Sequence, residues 1–200
     1  MEIKMTDLLG AADVSGNPIE GNYKYMGLVI GTKENLNSIS KRLELNQFSS
    51  KRRIKDKGVR KSLALKLEFN CRESIAFCVK IDKDRIINKI IQNMDKKHLR
   101  ISHDRVYSAH SKILLQKLHE KFLEFLRIHN YELHKIVFEC DSDCRTFARD
   151  NGLKYADPRH AHIISDIVAW ANNNELEPRG VIVMDLTHEI ETELKKLFLK

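Results

Sequence analysis

The stretch Leu8–Thr32, LLGAADVSGNPIEGNYKYMGLVIGT, reads as an apolar strand ending in an acid, a tight polar loop, and a second apolar strand returning beside it. Gly10, Ala11 and Ala12 lead to Asp13, and Ser15, Gly16, Asn17 and Pro18 break the run at once. From Tyr23 to Ile30 the chain is apolar on both faces after Lys24, the pattern of a central strand. A carboxylate at the inner end of such a strand packs poorly, and suits an ion or a hydrogen-bonded turn better. Asp13 is therefore either a ligand or the residue that closes the Ser15-Gly16-Asn17 turn.

Downstream, Leu36, Ile39 and Leu43 predict a short amphipathic helix over 35–45, and the polar, basic segment Gln47–Arg60, interrupted by Gly58, reads as a loop or hairpin tip. Leu63–Phe69 fits a strand by alternation and a helix by composition. Ser74–Ile81 is a clearer strand. Ile86, Ile87, Ile90, Ile91 and Met94 mark one face of a helix over 84–94, and apolar residues at steps of three and four predict a long helix over 103–130. His134–Asp141 is a strand with Asp141 at its exit, followed by a helix to Asn151 that stops at Gly152. Leu153–Ala156 is short and strand-like. His160–Asn174 is a helix with Ile163, Ile164, Ile167, Val168 and Trp170 inward, and His162 and Asp166 share one of its faces. Gly180–Lys200 predicts an amphipathic helix, with Val181–Val183 open to a strand reading.

Two hundred residues with 42% hydrophobic content predict a single domain over 1–200, with room for a sheet and flanking helices. Apolar runs fall short of a membrane span, and no leader pattern is evident, so the expectation is a cytoplasmic protein. Cys71, Cys78, Cys140 and Cys144 form no CxxC pair and read as reduced thiols. Charge is concentrated. Residues 33–66 hold 11 Lys and Arg against 3 acids, a net +8; the whole chain is +7, so the remainder sums to −1. Such a basic insertion suits either a nucleic-acid backbone or a solvated loop, with Lys51, Arg52, Arg53 and Lys55 the candidate phosphate contacts.

An opening hairpin combined with strand–helix–strand units implies a mixed α/β sheet flanked by helices. In such a sheet Asp13 and Asp141 leave neighbouring strands at one edge, and Asp166 lies on a helix able to cross it. Converging carboxylates repel one another, and hard divalent cations relieve the repulsion, which points to Mg²⁺ or Mn²⁺. Asp141 also has a plainer use as the N-cap of the following helix, whereas Asp166, in an otherwise apolar helix face, has no equally plain one, and its burial would require a partner.

On Asp13 in A-A-D-V-S-G-N with the Tyr25-Met26-Gly27 strand, Asp141-Ser142 in F-E-C-D-S, and Asp166 in H-I-I-S-D-I-V-A-W-A, the chain resembles the ribonuclease H-like superfamily. It is more specifically similar to small prokaryotic and archaeal families within it. The resemblance implies a two-metal phosphodiester hydrolase acting on nucleic acid, with Asp13 bridging two ions, Asp141 on one and Asp166 on the other. His162 would assist as ligand or proton shuttle, or, like His160, serve as a histidine at a helix start. The same fold without catalysis would give a nucleic-acid-binding protein, and a contact with an acidic protein is a third use of the basic loop. Resolvase-like relatives suggest a homodimer, although no interface is legible in the residues. The family's further acid has no clear counterpart: Asp84, Asp104, Asp157 and Glu139 are the substitutes available, His110 stands where an acid is expected, and Glu120 and Glu124 read as solvated.

Overall fold

The strands that Leu8–Thr32 anticipates form the middle of the sheet. A computed structural model describes residues 8–15, 24–48, 54, 56–70, 73–96, 102–128, 136–139, 145, 148–149 and 152–199. The sequence expectations for Asp141, Lys51, Arg52, Arg53, Lys55, Cys71, Cys140 and Cys144 lie outside them. The six-stranded sheet runs in the order β5-β4-β1-β2-β3-β6, with β1 Leu8–Ser15, β2 Lys24–Thr32, β3 Ser74–Ile81, β4 Ile136–Glu139, β5 Lys154–Ala156 and β6 Val181–Asp185. β1 pairs with β2 antiparallel, setting Asp13 opposite Gly27, and with β4 parallel, setting Ala11 opposite Glu139. β4 and β5 are also parallel. The mixed sheet flanked by helices is the α/β arrangement expected of a ribonuclease H-like fold.

The contacts divide the chain into two compact units. The first comprises 1–16, 25–79 and 132–184. Within it, one face of the sheet carries α5, His160–Asn173, which lies across β1, and α1 (Lys33–Arg42) and α2 (Lys57–Lys66) pack on α5 in turn. Every residue of α5 from Ala161 to Asn172 is buried, which is why the sequence is apolar almost all round the helix. Ala11, Val29, Ala76 and Cys78 from the sheet meet Ile164, Ile167 and Val168 from α5, and Leu36, Ile39, Leu43, Leu63 and Ala64 close the far side.

The described part of the basic stretch is thus structure, not a solvated excursion. Residues 57–60, read as loop, are the first turn of α2. Gly58 does not break the chain there because Asp56 caps the helix, accepting from the Val59 amide at 2.9 Å. Both readings of 63–69 are half right: the helix runs to Lys66, and Glu68 then bridges to Arg179 as extended chain. The C-terminal segment likewise holds both a strand, β6, and a helix, α6 (Thr187–Phe198).

The second unit comprises 17–24, 80–131 and 185–200. In it α3 (Lys83–Lys96), α4 (His103–Ile128) and α6 pack on one another. Ile86, Ile87, Ile90 and Met94 of α3 are buried with Val106, Ile113 and Leu114 of α4 and Ile190 and Leu194 of α6. Glu191, buried on α6, pairs within that helix with Lys195 at 2.5 Å and ties it to α3 through Lys89 at 2.6 Å, and the hydrogen bonds from Lys195 and Lys89 hold its carboxyl below its ordinary range. No helix among the described residues is long and apolar enough to cross a membrane.

Candidate functional site

The site is set by how α5 starts and how closely it approaches the sheet. Its N-cap, Arg159, offers no side-chain acceptor to the exposed amides of the first turn. Glu139, at the end of β4, supplies one: its Oε2 accepts from the Arg159 amide at 2.9 Å and the His162 amide at 3.2 Å. The carboxylate meets the positive end of the helix dipole, which stabilises it despite its burial at 5% exposure. Glu139 is thereby committed to holding the helix.

Further along, α5 lies against β2 at Gly27, where a Cβ would stand 2.2 Å from the Ser165 carbonyl oxygen and 2.9 Å from the Ala169 amide nitrogen. Only a residue without a side chain permits that approach. Because Gly27 is opposite Asp13, the close contact brings the helix beside the acid. His162 Nε2 lies 3.8 Å from Asp13 Oδ2, and both side chains are about nine-tenths buried, at 11% and 7% exposure. The other ring nitrogen of His162, Nδ1, is buried and has no hydrogen-bond partner among the described residues.

One turn along α5, Asp166 is buried between the sheet-facing layer and α2. Arg60 of α2 donates from Nη2 to Asp166 Oδ2 at 2.8 Å, across 106 residues of sequence. The guanidinium also lies over the Trp170 ring, 5.8 Å from its centroid, an arrangement that favours a cation. Arg60 is the partner that burial of Asp166 requires, and the sequence reading missed it. The only signal was the acid itself: a carboxylate in an apolar helix predicts a buried cation without saying which one.

Of the sequence candidates, Asp13 and His162 are brought together, Asp166 is paired with Arg60, and Asp141 lies outside the described residues. His160 is half-buried beside Glu139, lining a cleft of about 530 Å³ with an apolar floor of Leu9, Leu36, Val137 and Ala156 and with Lys33 and Arg159 at its rim. Asp157 is exposed and pairs with Arg145 at 2.7 Å. In the second unit, Asp104 is exposed, Glu120 and Glu124 are exposed and pair with Lys117 and Lys121, and His110 is buried on α4. Asp84 falls in the first turn of α3. Among the described residues, no group of three or more His, Cys, Asp or Glu side chains is gathered so as to hold a metal ion.

No family model matches the sequence, and no curated protein matches it. Among solved structures, a chain of the PCNA:RNase HII complex from Archaeoglobus fulgidus is similar, at 13% identity and a TM-score of 0.42, over 96% of this chain and 79% of that one. A likeness of that depth speaks to neither chemistry nor partner.

Proposed function

We propose that the protein is a divalent-metal-dependent nuclease, or a closely related nucleic-acid-processing protein, of ribonuclease H-like fold. The observation that carries this reading is the buried Asp13–His162 pair, in which the imidazole Nε2 lies 3.8 Å from the Asp13 carboxylate. A carboxylate oxygen and an imidazole nitrogen are the first two donors of a site for one divalent cation, and the nitrogen favours Mn²⁺ over Mg²⁺. Asp141 is proposed as a further donor. Asp166 would join only by giving up its contact with Arg60.

When bound, such an ion supplies Lewis acidity toward a phosphoryl oxygen. The chain does the rest. Asp13 fixes negative charge at the end of β1, and His162 presents Nε2 toward it. Glu139 holds the first turn of α5, and so the backbone of His162, in place. The cleft beside Glu139, apolar below and rimmed by Lys33 and Arg159, suits a sugar–phosphate segment, and Lys51, Arg52, Arg53 and Lys55 are proposed to track the backbone beyond it.

The test is cleavage of labelled single-stranded, duplex and branched DNA and RNA with Mn²⁺ or Mg²⁺. Metal-dependent cleavage that Asp13→Asn abolishes is expected. The second reading, a nucleic-acid-binding protein without catalysis, is favoured by one observation: the charge of Asp166 is already answered by Arg60. Salt-dependent binding with no cleavage under any metal, unchanged in Asp13→Asn, would establish it and overturn the first.

A further inference from the structure

We propose that the outward face of α2, through Lys57, Lys61 and Lys66, is a nucleic-acid contact that engages the phosphate backbone and leaves the bases unread. The proposal rests on the nucleic-acid partner inferred above but not on a metal ion or on catalysis, and it concerns a surface apart from the cleft beside Glu139.

The inner face of α2 is committed to packing. Leu63 and Ala64 are buried, as is Leu67 just past the helix end, and Arg60 donates to Asp166 of α5 at 2.8 Å. With that side fixed on α5, Lys57, Lys61 and Lys66 are held to the outside, and all three are exposed. Between Asp56, which caps the helix, and Glu68 the chain carries Lys57, Arg60, Lys61 and Lys66 and no acid. None of the three lysines enters an ion pair among the described residues. Lys117, Lys121 and Lys196 are used differently, each pairing with a glutamate three residues away. Lys57 and Lys61, four residues apart on one face, repel each other, and a polyanion relieves that repulsion. At 1.5 Å per residue the three lysines stand about 6 and 7.5 Å apart along the axis. Each can therefore meet a different phosphate of a backbone whose charge repeats about every 3.4 Å of duplex axis. An acidic protein face answers the charge without that regular repeat. No exposed residue of α2 is aromatic, Arg, Asn or Gln, the types that stack on bases or read their edges most readily, and lysine meets phosphate as a point charge. Where the face ends, Lys66 meets Arg42 of α1 and Arg179 around a groove of about 520 Å³ that also holds Glu68 and Glu177, so the positive excess continues there. Arg42 is fixed at that end by donating to the Glu68 carbonyl at 3.0 Å.

The experiment is fluorescence-anisotropy titration of labelled duplex DNA and single-stranded RNA, each in two unrelated base sequences, with the whole chain in EDTA and NaCl from about 50 to 200 mM. Wild type is compared with Lys57→Gln/Lys61→Gln/Lys66→Gln, in which glutamine keeps the helix propensity of lysine. The control, Lys117→Gln/Lys121→Gln/Lys196→Gln, removes the same net charge from lysines already paired with acids. Each phosphate contact adds about 0.9 to the slope of log affinity against log salt on a duplex and about 0.7 on a single strand. The α2 variant is expected to lose about 2.7 or about 2.1 from that slope, equally for both base sequences. On a duplex, its fall in affinity across the salt range is then about 40-fold smaller than that of wild type. The control is expected to change the slope by less than one contact's share. Should the triple variant not fold, the three single variants carry the test, each losing about one contact's share of slope. A wild-type slope in the α2 variant, the same loss in the control, or a loss confined to one base sequence overturns the proposal alone. Poly-glutamate bound by wild type as tightly as the oligonucleotides, and released by the α2 substitutions, overturns it in favour of an acidic protein. Absence of binding by wild type to every oligonucleotide overturns the nucleic-acid reading together with it.

Discussion

Replacing Gly27 with alanine tests whether the approach of α5 to the sheet builds the site. The added Cβ would lie 2.2 Å from the Ser165 carbonyl oxygen and 3.1 Å from the Ser165 carbonyl carbon, both backbone atoms that cannot swing aside. The layers would have to part by roughly 1 Å to restore ordinary contact. Parting them opens the packing of Ile164, Ile167 and Val168 against the sheet, and a cost of about 3 kcal/mol follows for overpacking that meets backbone. For a chain of this size that corresponds to a fall in Tm of roughly 6–12 °C. Thermal denaturation followed by circular dichroism gives the shift, and Mn²⁺ titration of the folded variant tests the metal role proposed for the Asp13–His162 pair. Gly152 is the control: its backbone is left-handed at φ 65° but nothing lies within 4 Å of its Cβ position, so alanine there costs only about 1 kcal/mol of conformational strain. A Gly27→Ala variant that melts with wild type would refute the close packing and the placement of His162 that depends on it.

Asp166→Asn leaves Arg60 buried without its counter-charge and is expected to destabilise by about 2–3 kcal/mol, with Arg60→Gln/Asp166→Asn recovering part of the loss in urea melts. Glu139→Ala removes the acceptor for two amides at the start of α5 and should cost about 1–2 kcal/mol in the same assay, with Glu139→Gln costing less. Burial pushes the Cys78 thiol up from 9.0 to about 12, so it should resist a thiol reagent at pH 8 until the chain is unfolded. The stability it contributes is full below 9.0 and declines as pH rises toward 12. Glu191 has the opposite sign: its carboxyl is held below 4.5 by Lys195 and Lys89, so its contribution is present above that value and is lost as pH falls through the folded-state value. Glu191→Gln should flatten the acid limb of a stability–pH profile.

The hairpin, β4 and α5 were legible because each rests on a local pattern: alternation or an apolar run bounded by turn residues, or a dense apolar helix. Residues 57–60 were not, because Gly58 outweighed the cap that Asp56 provides, and a cap is a contact between backbone and side chain that composition does not reveal. The candidate site was half legible. His162 and Asp166 share a helix, so their spacing could be read directly. Arg60 could not be found from Asp166, nor the capping role of Glu139 from β4, because each depends on which elements stack, and the sequence separations are 106 and at least 20 residues.

The enclosure of α5 also bears on how the first unit comes together. Its neighbours are drawn from strands and helices encoded before it, so until residue 173 has been synthesised β1 lacks α5, the larger part of its helical cover beside α1. Completion of this unit therefore comes late in synthesis and is governed by contacts remote in sequence.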